Sequence, residues 1–433
     1  CRRAGRGVSS RIVPKRIIPV ASGKGGVGKT TFAINFALAL SRRAPTVLVD
    51  LDTGTSSVRT TVSAPVEKDL YHVYRKGARL SECITPLGAD LDPIGEFRQF
   101  GFVAGPRHFL AELAQPSAAF RRRLAEEINQ LPADYVVLDL RAGLDDNVLD
   151  FLPYTNSGVL VFTPHHPTAT LAASDIVKAI LFRTLRQLFG PGSPVYSLPG
   201  MADGQDLVRE LLDVAEDVYD DSIPNLDALL KDLADVFGDQ PLLAMIAEVL
   251  DDFRVHYVLN MFNGVEESYE RALRPFVENL SRNVSARPTV TQLGWVVRDD
   301  RIHQSNCSGR PVLLDRRQPV RARVSEEDAV MAELDSLASA MLGIQRRPRR
   351  AATAEVKTPE AENLLDAQLS SLKAMYTDRA RDSVRENFSY LVYRALNLIA
   401  PPRAPGEFGQ TSLLQPEQVS RWFVRRSQAG QPG

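Results

Sequence analysis

From Arg16 to about Leu342, short apolar runs alternate with stretches whose apolar residues recur at helical spacing. The runs lie at 17–22, 46–50, 135–140, 158–163, 256–261 and 292–297, each of a length expected of a strand. Strands alternating with helices build βαβ units, so the pattern predicts an α/β fold with a mostly parallel, twisted sheet flanked by helices. One stretch breaks the alternation. Residues 201–252 hold 15 Asp and Glu against only Arg209 and Lys231, with Leu207, Leu211, Leu212, Ala215 and Val218 at helical steps. This predicts an acidic helical insertion over about 201–252.

The two ends differ from the middle. Residues 1–15 form a basic arm with Arg2, Arg3, Arg6, Arg11 and Lys15 and no acid. Ser325, with Asp328 three residues on, resembles a capping box, and the helix it opens runs through Met331, Leu334, Leu337 and Leu342 to Gly343. That ends a core domain over 16–343. The extension over 344–433 starts with the basic linker RRPRR at 346–350, followed by the helix-start signal Thr358-Pro359-Glu360. Its helical pattern reaches about Ile399, where Pro401 and Pro402 stop it. A short amphipathic piece over 416–426 carries Trp422 and Phe423 among Arg421, Arg425 and Arg426.

Composition narrows the class. Of the 433 residues, 52 are Lys or Arg and 53 Asp or Glu, and 44% are hydrophobic, the balance of an ordinary globular protein. No stretch approaches the roughly 18 uninterrupted apolar residues of a membrane span. The three cysteines, Cys1, Cys83 and Cys307, are far apart, which speaks against a zinc site, an iron–sulfur cluster or a disulfide framework and for a reducing cytoplasm. The chain opens on Cys rather than Met, so an incomplete start is expected.

The strongest chemical signal is the run from Gly23 to Thr31, GKGGVGKTT, which satisfies G-x-x-x-x-G-K-[ST] between an apolar strand and the helical pattern at 32–40. That context identifies a P-loop. Glycines at 23, 25, 26 and 28, with Val27 between, let successive N–H groups turn inward around a phosphate, and the helix N-terminus adds partial positive charge. Lys29 then reaches the β/γ-phosphates, the Thr30 hydroxyl is placed for Mg²⁺, and Thr31 completes the loop. A nucleoside triphosphate site follows. The strand ends at Asp50 and Asp139 deliver carboxylates to the same sheet edge, where Asp139 suits a metal shell and Asp52 suits orienting a water. Asp50 serves either Mg²⁺ or the capping of the next loop.

The extra lysine, Lys24 in K-G-G-V-G-K-T, resembles the deviant Walker A of the MinD/ParA class of P-loop ATPases, including MinD and FlhG. The resemblance covers about 16–342 apart from the insertion. It implies that Lys24 crosses a dimer interface to the partner's phosphates. VLVDLDTG at 47–54 is similar to the family's second strand and first switch, in which Asp52 positions the attacking water. DYVVLDLRAG at 134–143 is similar to its Walker B strand and second switch. Val258-Leu259-Asn260 is similar to the strand end whose Asn reads adenine, and the segments 292–300 and 309–312 to those that close the base pocket. The resemblance therefore implies ATP and Mg²⁺ as cofactors, a homodimer in the ATP state, and slow, partner-stimulated hydrolysis serving to position or regulate a cellular assembly. The partner is an activator or cargo protein.

Departures and alternatives are visible in the same text. Pro19 stands inside the first strand, where its missing N–H costs a ladder bond and predicts local irregularity. Arg141 occupies a switch position usually held by a small residue, and Val297 or Arg298 replaces the family's base-pocket proline. The His165-His166 pair reads as loop rather than metal site, and Cys83 and Cys307 as packing or surface residues. A ParA-like DNA-partitioning role is less favoured, because the near-neutral core and acidic insertion oppose nonspecific DNA binding. A nucleotide-binding scaffold without turnover is the other alternative. In the extension, Leu364, Leu365, Leu369, Leu372, Met375 and Tyr376 form an apolar stripe that must bury on the chain itself, on a partner or at a membrane. Asp366, Asp378, Asp382 and Glu386 give it a mixed polar face, which favours protein contact. Peripheral binding at the inner membrane through Trp422 and Phe423 is the competing expectation.

Overall fold

The computed structural model describes residues 15–52, 57–109, 111–199, 205–217, 222–237, 241–315, 359–399 and 413–429. Eight strands form one sheet: β1 (Arg16–Ala21), β2 (Thr46–Asp50), β3 (Thr85–Pro86), β4 (Phe100–Val103), β5 (Tyr135–Asp139), β6 (Asn156–Phe162), β7 (Arg254–Phe262) and β8 (Thr289–Val297). Their order is β3-β4-β2-β5-β1-β6-β7-β8. Every pairing is parallel except β3 with β4 at one edge. The predicted sheet is therefore present, with β3 and β4 added to the six expected strands.

The central strands are apolar at nearly every position because both faces are covered, as parallel sheets require. Successive residues alternate faces: Ile17, Val47, Val49, Val136, Leu138 and Leu160 join one core, and Ile18, Val20, Leu48, Val137, Val159 and Val161 the other. Helix α1 (Lys29–Ser41) lies over the second face. Helix α2 (Pro167–Phe189) covers the first, with Ile176, Val177, Ile180, Leu185 and Leu188 fully buried.

The acidic insertion is helical, as its periodicity predicts. Helices α3 (Gln205–Glu216), α4 (Leu226–Phe237) and α5 (Pro241–Asp252) bury Val208, Leu212, Leu229, Leu233, Ile246 and Leu250 in the first core. Arg186 of α2 pairs with Asp213 at 2.7 Å and with Glu216.

Pro19 keeps its register with Leu138 of β5, and the irregularity falls on its other neighbour. Strand β6, which pairs with β1 only from Val20 on, shifts register against β7 between Asn156 and Val159. Gly158 turns there with φ 61°, where a Cβ would sit 2.6 Å from the Pro19 carbonyl oxygen. The Asn156 side chain accepts the Gly158 N–H at 2.8 Å, which satisfies that buried donor at the irregularity.

The extension packs back onto the sheet. Beyond α6 (Asp300–Cys307), the helical pattern expected as far as Ile399 is two helices, α7 (Pro359–Arg379) and α8 (Val384–Leu398), because Ser383 and Glu386 form a capping box that starts a new helix. On α7, Leu365, Leu372 and Met375 are buried, and Gln368 bonds the Tyr257 hydroxyl at 2.9 Å and the Val290 carbonyl at 2.9 Å. On α8, Phe388, Leu391, Val392 and Ala395 enter the second core, with the Phe388 ring 5.9 Å from Phe32 of α1. Helix α9 (Pro416–Ala429) buries Val419 and Phe423 in the first core. Its Arg426 pairs with Glu248 at 2.9 Å and with Asp252. Leu365, Leu372 and Met375 of the stripe thus face the chain's own core while Tyr376 is exposed, and of the two aromatics expected at a membrane Phe423 is buried and Trp422 half-buried. The basic arm up to residue 14, the linker and the capping box at Ser325 lie outside the described residues.

Candidate functional site

Strand β1 ends at Ala21, and the chain turns through residues 22–28 at the carboxyl edge of the sheet before entering α1. Gly28 caps that helix in the left-handed region at φ 80°, and a Cβ there would collide with the side-chain amide of Asn260. Only glycine fits. Lys24, Gly25 and Gly26 are exposed, Val27 is buried, and Gly23, Thr30 and Thr31 are half-buried. A Cβ on Gly25 or Gly26 would meet nothing within 4 Å, so the loop borders open space. The free N–H groups of the first helical turn give that space an anion-binding character.

Lys29, the first residue of α1, is 6% exposed, and its ammonium lies 2.5 Å from Asp139 Oδ1 at the end of β5. Asp139 is fully buried, and its Oδ2 has no hydrogen-bond partner among the described residues. An orphaned carboxylate oxygen costs stability, and a divalent cation or its bound water is the partner that would satisfy it. The residues therefore fit Mg²⁺ beside the loop.

Asp50 stands in register with Asp139 on the neighbouring strand. Its carboxylate accepts the backbone N–H of Asp52 at 3.1 Å and of Gly105 at 3.3 Å. Asp50 thus caps the backbone that follows its strand. Asp52, two residues on, is half-buried, and residues 53–56 after it lie outside the described set. Asn260 on β7 reaches the loop itself: its Nδ2 donates to the Val27 carbonyl at 2.7 Å. A bulge between Asn260 and Phe262 puts Met261 at φ 55° and lets the amide reach the loop. The side chain expected at adenine thus also holds the phosphate loop.

Two residues escaped the sequence reading. The Ser22 hydroxyl donates to the Lys24 carbonyl at 3.1 Å, and its own carbonyl accepts the Gly143 N–H at 3.1 Å, tying the P-loop to the second switch. Asn306, on α6 (Asp300–Cys307), donates to Thr31 Oγ1 at 2.8 Å. It lies in the short interval between the two segments recognised as base-pocket closure, the one signal available. At the start of α6, Asp299 caps Arg301 N, and the Arg301 guanidinium holds its carboxyl below the usual range.

The secondary candidates stay outside this arrangement. Arg141 pairs with Asp145 at 3.5 Å at the surface. His166 begins α2, and the described residues contain no cluster of three His, Cys, Asp or Glu able to hold a metal. Cys83 is buried, which raises its thiol to about 11, and Cys307 is exposed. No described helix is long and apolar enough to cross a membrane.

Comparison with known proteins matches residues 18–312 to the CobQ/CobB/MinD/ParA nucleotide binding domain. The antiactivator FleN of Pseudomonas aeruginosa is 27% identical over 39% of this chain and 57% of its own length. The iron–sulfur cluster carrier protein of Bacillus subtilis is 31% identical over 37% of this chain and 43% of its own. The chain thus spans about half the length of these relatives. The septum site-determining protein MinD of Pyrococcus horikoshii, solved with Mg-ADP, aligns over 77% of this chain and 99% of its own at 16% identity and a TM-score of 0.41. The matched segment begins in β1 and ends just past Asn306, taking in the glycine loop, Lys29, Asp139 and Asn260, and the chain belongs to the CobQ/CobB/MinD/ParA nucleotide-binding family, in the MinD/ParA class of P-loop ATPases.

Proposed function

We propose that this protein is an ATP-dependent dimerisation switch that positions or regulates a cellular assembly, with slow hydrolysis that a protein partner stimulates. The observation that carries the reading is the buried Lys29–Asp139 pair beneath a glycine loop whose second lysine, Lys24, faces solvent. Bound phosphates would draw the Lys29 ammonium and leave both Asp139 oxygens to a Mg²⁺ shell. Mg²⁺ supplies charge neutralisation on the phosphates. The chain contributes the N–H cradle, Lys29 and Thr30 at the phosphates, and Asp52 to orient the attacking water. Asn260 would add a base contact through the rest of its amide.

Among the described residues the Lys24 ammonium makes no ion pair, and Lys24 stands exposed at the mouth of the loop. It suits a role across a dimer, completing a partner's site. A switch of this kind needs slow turnover, because the ATP state must last until an activator or cargo protein ends it. Iron–sulfur carriage is the weaker reading, since Cys83 is buried in the core and Cys307 lies far from it in sequence. A cytoplasmic setting agrees with the dispersed cysteines. The test is calorimetric titration of Mg·ATP together with sedimentation velocity in ATP and in ADP. ATP binding without an ATP-dependent rise in mass would leave a nucleotide-binding scaffold instead of a switch.

A further inference from the structure

Thr31 is the second hydroxyl after the P-loop lysine, and its oxygen accepts a hydrogen bond from Asn306 Nδ2 at 2.8 Å across 275 positions of sequence. An amide nitrogen has no lone pair to offer. The Thr31 hydroxyl hydrogen therefore cannot be spent on this bond and is free to be given elsewhere. The other side of Asn306 is informative too: its Oδ1 is buried and has no partner among the described residues. Around it, the Asn35 side chain joins α1 to the segment after α6, donating to the Thr31 carbonyl at 2.8 Å and accepting the Leu313 N–H at 3.1 Å. Thr31, on the first turn of α1, is thus gripped at its carbonyl and at its hydroxyl oxygen, and among the described residues nothing accepts its hydroxyl hydrogen.

We infer that Asn306 is a positioning residue for the nucleotide: by donating to Thr31 Oγ1 it fixes that hydroxyl as a donor to a phosphate oxygen of the bound nucleotide. The inference rests on the P-loop reading above and adds α6 to the phosphate machinery. A hydroxyl whose oxygen is already occupied does not have to reorganise when the phosphate arrives, and a bond to an ionised phosphate oxygen is of the stronger kind. Reversal of the first bond would undo this. An acceptor at position 306 would take the Thr31 hydrogen for itself.

The test is ADP titration of the full chain, wild type against Asn306→Leu, Asn306→Asp, Thr31→Ser and Thr31→Val, with Asn306→Leu repeated in both Thr31 backgrounds. Thermal melting without nucleotide verifies that each variant is folded, and Asn306→Ser replaces Asn306→Leu if the leucine does not fold. Asn306→Leu is expected to weaken ADP binding about fivefold in the wild-type and Thr31→Ser backgrounds and not at all in Thr31→Val, the coupling that a shared hydrogen bond produces. Asn306→Asp is expected to weaken it more than Asn306→Leu, because a carboxylate both captures the hydroxyl and repels phosphate. An equal loss in the Thr31→Val background would show that Asn306 only props α6, and would overturn the inference while leaving the P-loop reading intact. Failure of the wild type to bind ADP would overturn both.

Discussion

The Lys29 ammonium and the Asp139 carboxylate meet at 2.5 Å, with the two side chains 6% and 0% exposed. Such a pair is held by geometry, and breaking it from one side strands a buried charge. Lys29→Met is therefore expected to lower stability by about 3–5 kcal/mol and to abolish nucleotide binding. The double variant Lys29→Met/Asp139→Leu should recover much of the stability, because apolar replacement of both partners removes the stranded charge, and should still bind no nucleotide. Urea melts with parallel Mg·ATP titrations check both. Nucleotide binding by the double variant would remove this pair from the site.

Lys24 and Asp52 separate association from turnover. Lys24→Ala should bind Mg·ATP within about twofold of wild type, since an exposed side chain contributes little to its own chain's site, yet fail to dimerise. Asp52→Ala should dimerise in ATP and release phosphate at least about tenfold more slowly, in the range of a lost positioning group. Sedimentation velocity and phosphate release measure the two outcomes. An unchanged hydrolysis rate in Asp52→Ala would count against its role at the attacking water.

The sequence made most of this site visible because P-loop chemistry is local: nine consecutive residues carry the loop, and an apolar run ending in a carboxylate carries Asp139. What it hid depends on distance in the chain. The bonds of Asn306 to Thr31 and Asn260 to Val27 join segments 275 and 233 positions apart, and no local pattern marks them. Strand β4 was missed because FGFV is only four residues long, with too few positions for a period to declare itself. The break between α7 and α8 was legible in principle, through Ser383 and Glu386 three residues later, but the apolar content continues across it and masks the cap. Whether the extension's stripe faces membrane or protein was undecidable from periodicity, which states that a face must be buried and not where.

His256 offers a pH test of the core. It is 1% exposed on β7, and burial lowers its pKa to about 4 from an ordinary 6.5. The folded state holds it neutral while the unfolded chain binds a proton below the ordinary value. Stability is therefore expected to fall as pH drops from 6.5 toward 4, by about 3 kcal/mol over the window at 1.36 kcal/mol per unit. His256→Gln, which does not titrate, should flatten that part of the profile. Denaturant midpoints at half-unit steps measure it, and an unchanged slope would place the acid sensitivity elsewhere.

The last prediction concerns the extension, whose helices contribute to both cores. Phe388 is 1% exposed and packs on Phe32 in the P-loop helix, and Phe423 is 5% exposed beneath α9. Phe388→Ala should cost about 3–5 kcal/mol, the loss seen for large buried aromatics, and Phe423→Ala a similar or somewhat smaller amount. Removing 359–433 altogether would uncover Trp295, Leu293 and Val290 along β8 and should give an insoluble or aggregating chain. A membrane role through α9 predicts the opposite pattern: ATP-dependent sedimentation with anionic vesicles, lost in Phe423→Ala with the fold unharmed. Because a side chain already buried in the chain's own core has no apolar surface left to give a bilayer, no such sedimentation is expected in ATP or in ADP. Retention of wild-type stability in Phe423→Ala together with loss of vesicle binding would mean that α9 leaves the core to act at a membrane.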